Sequence, residues 1–157
     1  MLAVAAPPSE HVSTIMSTKV VTVKTTDKVA KALGLMVRHK IGSVIVLDKA
    51  KPVGILTERD ISTRVAKGQN LKTMPLKNAM SKPLVTALPS MEIEDAVAEM
   101  VRKDIRRLPI VEGDKLVGMV TERDIMYWLV KVAYEPNIPQ DLKALLQSRI
   151  NAHTLTP

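Results

Sequence analysis

The string Gly54-Ile55-Leu56-Thr57-Glu58-Arg59-Asp60-Ile61 returns 64 residues later as Gly118-Met119-Val120-Thr121-Glu122-Arg123-Asp124-Ile125. Each copy reads as the end of an apolar strand, a turn and a helix start. Threonine at a helix N-cap accepts a hydrogen bond from an amide two or three residues on. An acid three positions later can return the bond, as in a capping box. A second reading points to a ligand. A helix N-terminus offers amides and the positive end of its dipole to a phosphate. A carboxylate beside it can accept both hydroxyls of a ribose, and a glycine ahead of the turn permits close backbone approach. Spacing alone does not choose between the two readings, and both can hold together.

Outward from this string the repetition continues. Residues 16–61 align with 80–125 at the constant offset of 64 without a gap, and 17 of the 46 positions are identical. Met16-Ser17 matches Met80-Ser81, Val21-Thr22 matches Val85-Thr86, and Met36-Val37-Arg38 matches Met100-Val101-Arg102. Such agreement marks a duplicated unit, which implies a pseudo-twofold pair with a shared core and two related sites.

Both copies carry one pattern. A short β-branched strand comes first, Val20–Val23 and Leu84–Ala87. A helix follows, with Val29, Leu33, Met36 and Val37, then Ile93, Val97, Met100 and Val101, at helical spacing; Thr26-Asp27 and Pro89-Ser90 are its expected starts. Two apolar strands around a polar turn are expected at Ser43–Leu47 and Val53–Leu56, and again at Leu108–Val111 and Leu116–Val120, with Gly113 in the second turn. A further helix begins at each Thr-Glu-Arg-Asp. The expected fold is mixed α/β (α+β): tandem pseudo-twofold repeats, each β-α-β-β-α, with a C-terminal helical extension. The expected limits are a tail at 1–11, repeat one at 12–68, a linker at 69–78, repeat two at 79–134 and the extension at 135–157. Within the extension, Leu142, Leu145, Leu146 and Ile150 lie on one side of an amphipathic helix.

Composition narrows the function. The chain has 157 residues, 46% of them apolar and 25% charged, the mix of an ordinary globular protein. Cysteine is absent, which excludes disulfides, thiolate metal sites and cysteine nucleophiles. The three histidines, His11, His39 and His153, are scattered and form no metal-binding pair. No Gly-Lys-Ser/Thr phosphate loop or Gly-x-Gly-x-x-Gly occurs. Enzymatic activity and a catalytic cofactor or metal are therefore not expected. No apolar run is long enough to span a bilayer, the opening residues lack the basic start of a signal peptide, and a cytoplasmic location is expected. The formal net charge of +7 suits an anionic partner. The only rings are Tyr127, Trp128 and Tyr134, so base stacking is nearly excluded from the repeats and nucleic acid is an unlikely partner.

The repeat, its element order and the doubled Gly-x-x-Thr-x-x-Asp resemble a pair of CBS domains, the regulatory modules named after cystathionine β-synthase. Arg107-Leu108-Pro109-Ile110-Val111 resembles the family's second-strand entry, and the resemblance spans about residues 12–134. It implies a sensor of adenosine-containing ligands, AMP, ADP or ATP first, with S-adenosylmethionine or NAD also possible. It implies binding in the cleft between repeats, with Thr and Asp of one copy on ribose and strand edges of the other around adenine. One site would use Thr121 and Asp124 with Val21, Ile41 and Gly42; the other would use Thr57 and Asp60 with Val85, Ile105 and Arg106. Arg107 is expected on phosphate at the Asp124 site, since a guanidinium grips phosphate as a fork. Copy one has Gly42-Ser43 and Ile45 where copy two has Arg106-Arg107 and Pro109, so the two sites are expected to be unequal. Arg59 and Arg123 can each reach phosphate or pair with neighbouring acids. A homodimer and an unidentified target protein are the implied partners. The alternatives are a ligand-free interaction module and a non-specific nucleic-acid-binding protein.

Overall fold

The computed structural model describes residues 10–134 together with Gln140 and Ala144. Most of the expected tail and the helix expected over Asp141–Ile150, Ala144 apart, lie outside the described residues. After a 3-10 turn at Val12–Thr14 come β1 (Thr22–Lys24), α1 (Val29–His39), β2 (Ser43–Asp48), β3 (Lys51–Thr57), α2 (Glu58–Ala66) and α3 (Leu76–Ala79). They are followed by α4 (Ile93–Arg102), β4 (Arg107–Glu112), β5 (Lys115–Thr121) and α5 (Glu122–Tyr134). The described chain forms two compact units. One holds Val20–Val85 with Glu112–Leu116; the other holds the residues up to Lys19, Thr86–Val111 and those from Val117 on.

In the first unit the strand order is β1-β2-β3, with β1 parallel and β3 antiparallel to β2. Val44, Ile45 and Val46 of the central strand are all fully buried. A central strand covered on both faces reads as a continuous apolar run, not an alternation. α1 lays Val29, Ala32 and Met36 on this core at spacings of three and four, and Leu56, Leu76 and Ala79 complete it. α1 stops at Lys40, which turns left-handed at φ 53°.

The second unit repeats the plan. α4 buries Ile93, Ala96 and Met100, the offset-64 counterparts of Val29, Ala32 and Met36. β4 and β5 pair as a hairpin. Leu108, Ile110 and Val120 are fully buried, and Trp128 of α5 is 4% exposed.

Four local expectations are corrected. The stretch Leu84–Ala87 is not a strand: it contributes a single parallel bridge, Ala87 to Ile110, with Ala87 N–H on Pro109 O at 3.0 Å and Val111 N–H on Ala87 O at 2.9 Å. The reason lies in the partner strand. In copy one the Ile45 N–H donates to Val21 O at 3.1 Å; its counterpart, Pro109, has no N–H, so that rung cannot form. Next, α1 starts at Val29 after Lys28, and α4 at Ile93 after Glu92, each later than expected. Asp27 is engaged elsewhere: its carboxylate closes the preceding turn by accepting the Lys24 N–H at 2.9 Å and pairs with Lys31 Nζ at 2.9 Å. Finally, the first strand of copy one covers Thr22–Lys24 and not Val20–Val23; the segment between the repeats holds a short helix, α3, anchored by fully buried Leu76.

Candidate functional site

The repeated Thr-x-x-Asp builds the same constellation twice. In copy one, Thr57 is the N-cap of α2 in an extended conformation. Its N–H and its hydroxyl both donate to Asp60 Oδ2 at 2.8 Å, and the Asp60 N–H donates back to Thr57 Oγ1 at 3.3 Å. In copy two, Thr121 N–H and hydroxyl donate to Asp124 Oδ2 at 2.7 and 2.6 Å, and the Asp124 N–H reaches Thr121 Oγ1 at 3.4 Å. The capping reading therefore holds in both copies. The amide that opens each helix is also engaged: Glu58 N–H donates to Gly42 O at 3.1 Å and Glu122 N–H to Arg106 O at 3.0 Å. Two first-turn amides in each copy are thus already bonded, which weakens the reading of the helix end as a phosphate cradle. The carboxylate remains the polar feature. It has about four acceptor positions, and Thr57 takes two of them, both on Oδ2.

Copy one surrounds the other oxygen with a clamp. Ser81 Oγ donates to Asp60 Oδ1 at 2.6 Å. Ser81 is held by its backbone, with its N–H on Ile55 O at 2.8 Å and its carbonyl accepting the Ile55 N–H at 3.1 Å. One helical turn beyond Asp60, Arg64 Nη2 donates to Asn78 O at 3.0 Å and Ala79 O at 2.7 Å. Asp60 and Arg64, four apart on α2, therefore grip one segment, Asn78–Ser81. Gly54 lets that segment approach: a Cβ there would stand 2.6 Å from Met80 Sδ and 3.0 Å from Ser81 O. Gly118 faces Met16 and Ser17 in the same way, at 2.6 and 3.0 Å. The close approach expected at these glycines is thus made to the protein's own backbone. Ser81 and Arg64 were not among the expected site residues. The signal for Ser81 lay in the repeated Met-Ser; Arg64 has no such signal, since its counterpart is Trp128.

The expected site residues divide between the units. Thr57, Asp60, Val21, Ile41, Gly42 and Val85 belong to the first; Thr121, Asp124, Ile105, Arg106 and Arg107 belong to the second. Within each unit, the residue immediately before the hairpin's first strand is brought to the cap through its carbonyl, Gly42 before β2 in one and Arg106 before β4 in the other. Val21, Ile41 and Val85 are half-buried, as are Ile105 and Arg107, while Arg106 is exposed. No helix among the described residues is long and apolar enough to cross a membrane.

Comparison with known proteins finds one family twice along the chain. The CBS domain matches residues 12–67 and 76–131. Both matches start at the short helical turns, Val12–Thr14 and α3, that precede the first strand position of each copy. The CBS domain-containing protein YhcV of Bacillus subtilis is 40% identical over 111 residues, covering 70% of this chain and 79% of its own. The chain spans 62% of the length of another curated relative. Among solved structures, the CBS domain pair of protein MJ0100 in complex with 5-methylthioadenosine and S-adenosyl-L-methionine has a TM-score of 0.71 at 25% identity, over 78% of this chain and 97% of that one. A hexameric CBS-CP12 protein from bloom-forming cyanobacteria has a TM-score of 0.72 at 30% identity, over 93% and 86%.

Proposed function

The chain belongs to the CBS domain family, as a pair of CBS repeats, and from that premise we propose that it is a regulatory sensor of adenosine-containing ligands. The single observation that carries this reading is the doubled cap, Thr57 with Asp60 and Thr121 with Asp124. In each, threonine occupies Oδ2, and Oδ1 keeps acceptor capacity for a ribose hydroxyl. The nucleosides bound by the MJ0100 pair support the class of ligand. AMP, ADP and ATP are the first candidates, with S-adenosylmethionine and NAD next. Arg107 is the proposed phosphate partner and Asp124 its ribose partner. Val21, Ile41, Gly42, Val85, Ile105 and Arg106 are the proposed contacts around adenine. The protein signals to a target protein, without catalysis of its own. It does so in the cytoplasm as a homodimer. Val37 and Val101, equivalent positions of α1 and α4, support self-association, being 79% and 76% exposed. The hexameric CBS-CP12 relative makes the order of assembly a quantity to measure.

Calorimetric titration of AMP, ADP, ATP, NAD and S-adenosylmethionine into wild type and Asp124→Ala tests the reading. Saturable binding that weakens at least about 10-fold in the variant is expected, the worth of a charge-assisted hydrogen bond. Because Asp124 also caps α5, the variant is titrated well below its melting temperature, after circular dichroism shows it folded. Binding of none of the five ligands to folded wild type refutes the reading and leaves the Thr-Asp pairs as helix caps.

A further inference from the structure

We propose that the Ser81 hydroxyl is a built-in competitor for the ribose position on Asp60 and sets the affinity of the copy-one site for adenosyl ligands; the inference rests on the ligand reading above. Two donors from Thr57 already occupy Asp60 Oδ2, at 2.8 Å each. A ribose diol must therefore turn to Oδ1, where Ser81 Oγ sits at 2.6 Å. A hydroxyl donating to a carboxylate at that distance is a strong, charge-assisted bond. A vicinal diol needs two acceptor positions, and only one is left on Oδ1 while Ser81 stays. Binding then proceeds with one ribose hydroxyl seated, or with Ser81 displaced.

Displacement is local. Ser81 is exposed, so its hydroxyl can rotate into water. Its backbone stays pinned by the paired bonds with Ile55 at 2.8 and 3.1 Å, and Arg64 holds Asn78 and Ala79 independently. Removing the hydroxyl therefore frees Oδ1 without loosening the segment that carries it. Ser81 is thus a specificity-determining residue, and its effect depends on the ligand carrying hydroxyls.

The test uses full-length protein in an Asp124→Ala background, which leaves the Asp60 site as the ribose site. AMP and 2′,3′-dideoxy-AMP are titrated into the background, and into Ser81→Ala and Ser81→Thr made in it. Ser81→Ala should bind AMP about 3–10-fold tighter, the net value of one hydrogen bond to a charged group partly replaced by water. Ser81→Thr, which retains the hydroxyl, should match the background, and the dideoxy ligand should show no gain. Equal or weaker AMP binding by Ser81→Ala overturns the inference, as does an equal gain for the dideoxy ligand, the mark of a merely structural effect. If wild type binds AMP but neither the background nor Ser81→Ala does, Asp60 is not a ribose site and the inference alone falls. Failure of wild type to bind any adenosyl ligand overturns the ligand reading together with it.

Discussion

Substituting Gly54 by alanine probes the contact that brings the Asn78–Ser81 segment onto the Thr57–Asp60 cap. The added methyl would stand 2.6 Å from Met80 Sδ, 3.0 Å from Met80 Cγ and 3.0 Å from Ser81 O. The thioether is flexible and can swing aside. The carbonyl cannot move freely, because it accepts the Ile55 N–H at 3.1 Å in a bridge whose other arm is 2.8 Å. Overpacking of a close contact costs about 1–3 kcal/mol, and stretching the bridge adds up to about 1 kcal/mol for each bond lost. Alanine also restricts the unfolded chain, returning about 0.4–1 kcal/mol. The net loss expected, from the middle of these ranges, is about 2 kcal/mol, read as a lower urea midpoint at unchanged slope. Gly118→Ala meets Met16 Sδ at 2.6 Å and Ser17 O at 3.0 Å, so it should cost a similar amount. Met80 also packs against the core, so the double variant is compared with Met80→Ala alone: there Gly54→Ala should cost less than in wild type, because the sulfur clash is gone and only the carbonyl remains. A Gly54→Ala protein within about 0.5 kcal/mol of wild type would refute the reasoning, since that is the range of an ordinary surface change.

Asp27 supplies a pH prediction. The Lys24 backbone N–H, donated to its carboxylate, and then the Lys31 ammonium hold its pKa below the usual carboxylate value. A lowered native pKa stabilises the fold above the unfolded pKa of about 3.9, and that contribution is lost as pH falls through the lower native value. The melting-temperature gap between wild type and Asp27→Asn should thus be widest near neutrality and close below about pH 4; a gap independent of pH argues against it. Lys49 turns left-handed at φ 56°, where its counterpart is Gly113 at φ 59°. Lys49→Gly should therefore raise stability by up to about 1 kcal/mol, the left-handed strain of an L-residue less the entropy of glycine, and urea melts showing a loss would contradict this. Arg64→Met removes both carbonyl bonds of the α3 clamp and should cost about 1–3 kcal/mol, with faster amide exchange at Met80 and Ser81.

The parts of the fold legible in the sequence were those fixed by period and repetition. Val29, Ala32 and Met36 and their counterparts Ile93, Ala96 and Met100 are buried in both copies, because a helical stripe and a duplicated offset carry the same information twice. The cap was legible because Thr-x-x-Asp is a local, three-residue geometry. What escaped depends on partners distant in sequence. Leu84–Ala87 has the composition of a strand, but its pairing is decided by Pro109, more than twenty residues on. Asp27 looked like a cap, but the turn after β1 takes its carboxylate first. Ser81 was visible as a repeated residue, yet its role needs Asp60, and nothing in the spacing of 21 residues links them.

The two copies share one scaffold but differ where hydrogen bonding is concerned, and that difference bears on the ligand. Pro109 in place of Ile45 removes a rung beside the first-strand position of copy two. Trp128 in place of Arg64 exchanges a guanidinium bonded to two carbonyls for an indole whose buried Nε1 makes no hydrogen bond among the described residues. Arg107 in place of Ser43 sets a half-buried cation at the start of β4 where copy one has a buried hydroxyl. Copy one thus ties Asp60 to Ser81 and Arg64 to the α3 segment, and copy two carries a half-buried cation at the start of β4. Under the proposed function, phosphate should matter at the Asp124 site and much less at the Asp60 site. The expected result is that Asp60→Ala, which leaves the Asp124 site, prefers AMP over adenosine by about 10-fold or more, the worth of a charge-assisted hydrogen bond. Asp124→Ala should discriminate less, and Arg107→Gln in the Asp60→Ala protein should erase the preference. Equal discrimination by the two single variants would show that the charge difference between the copies does not reach the ligand.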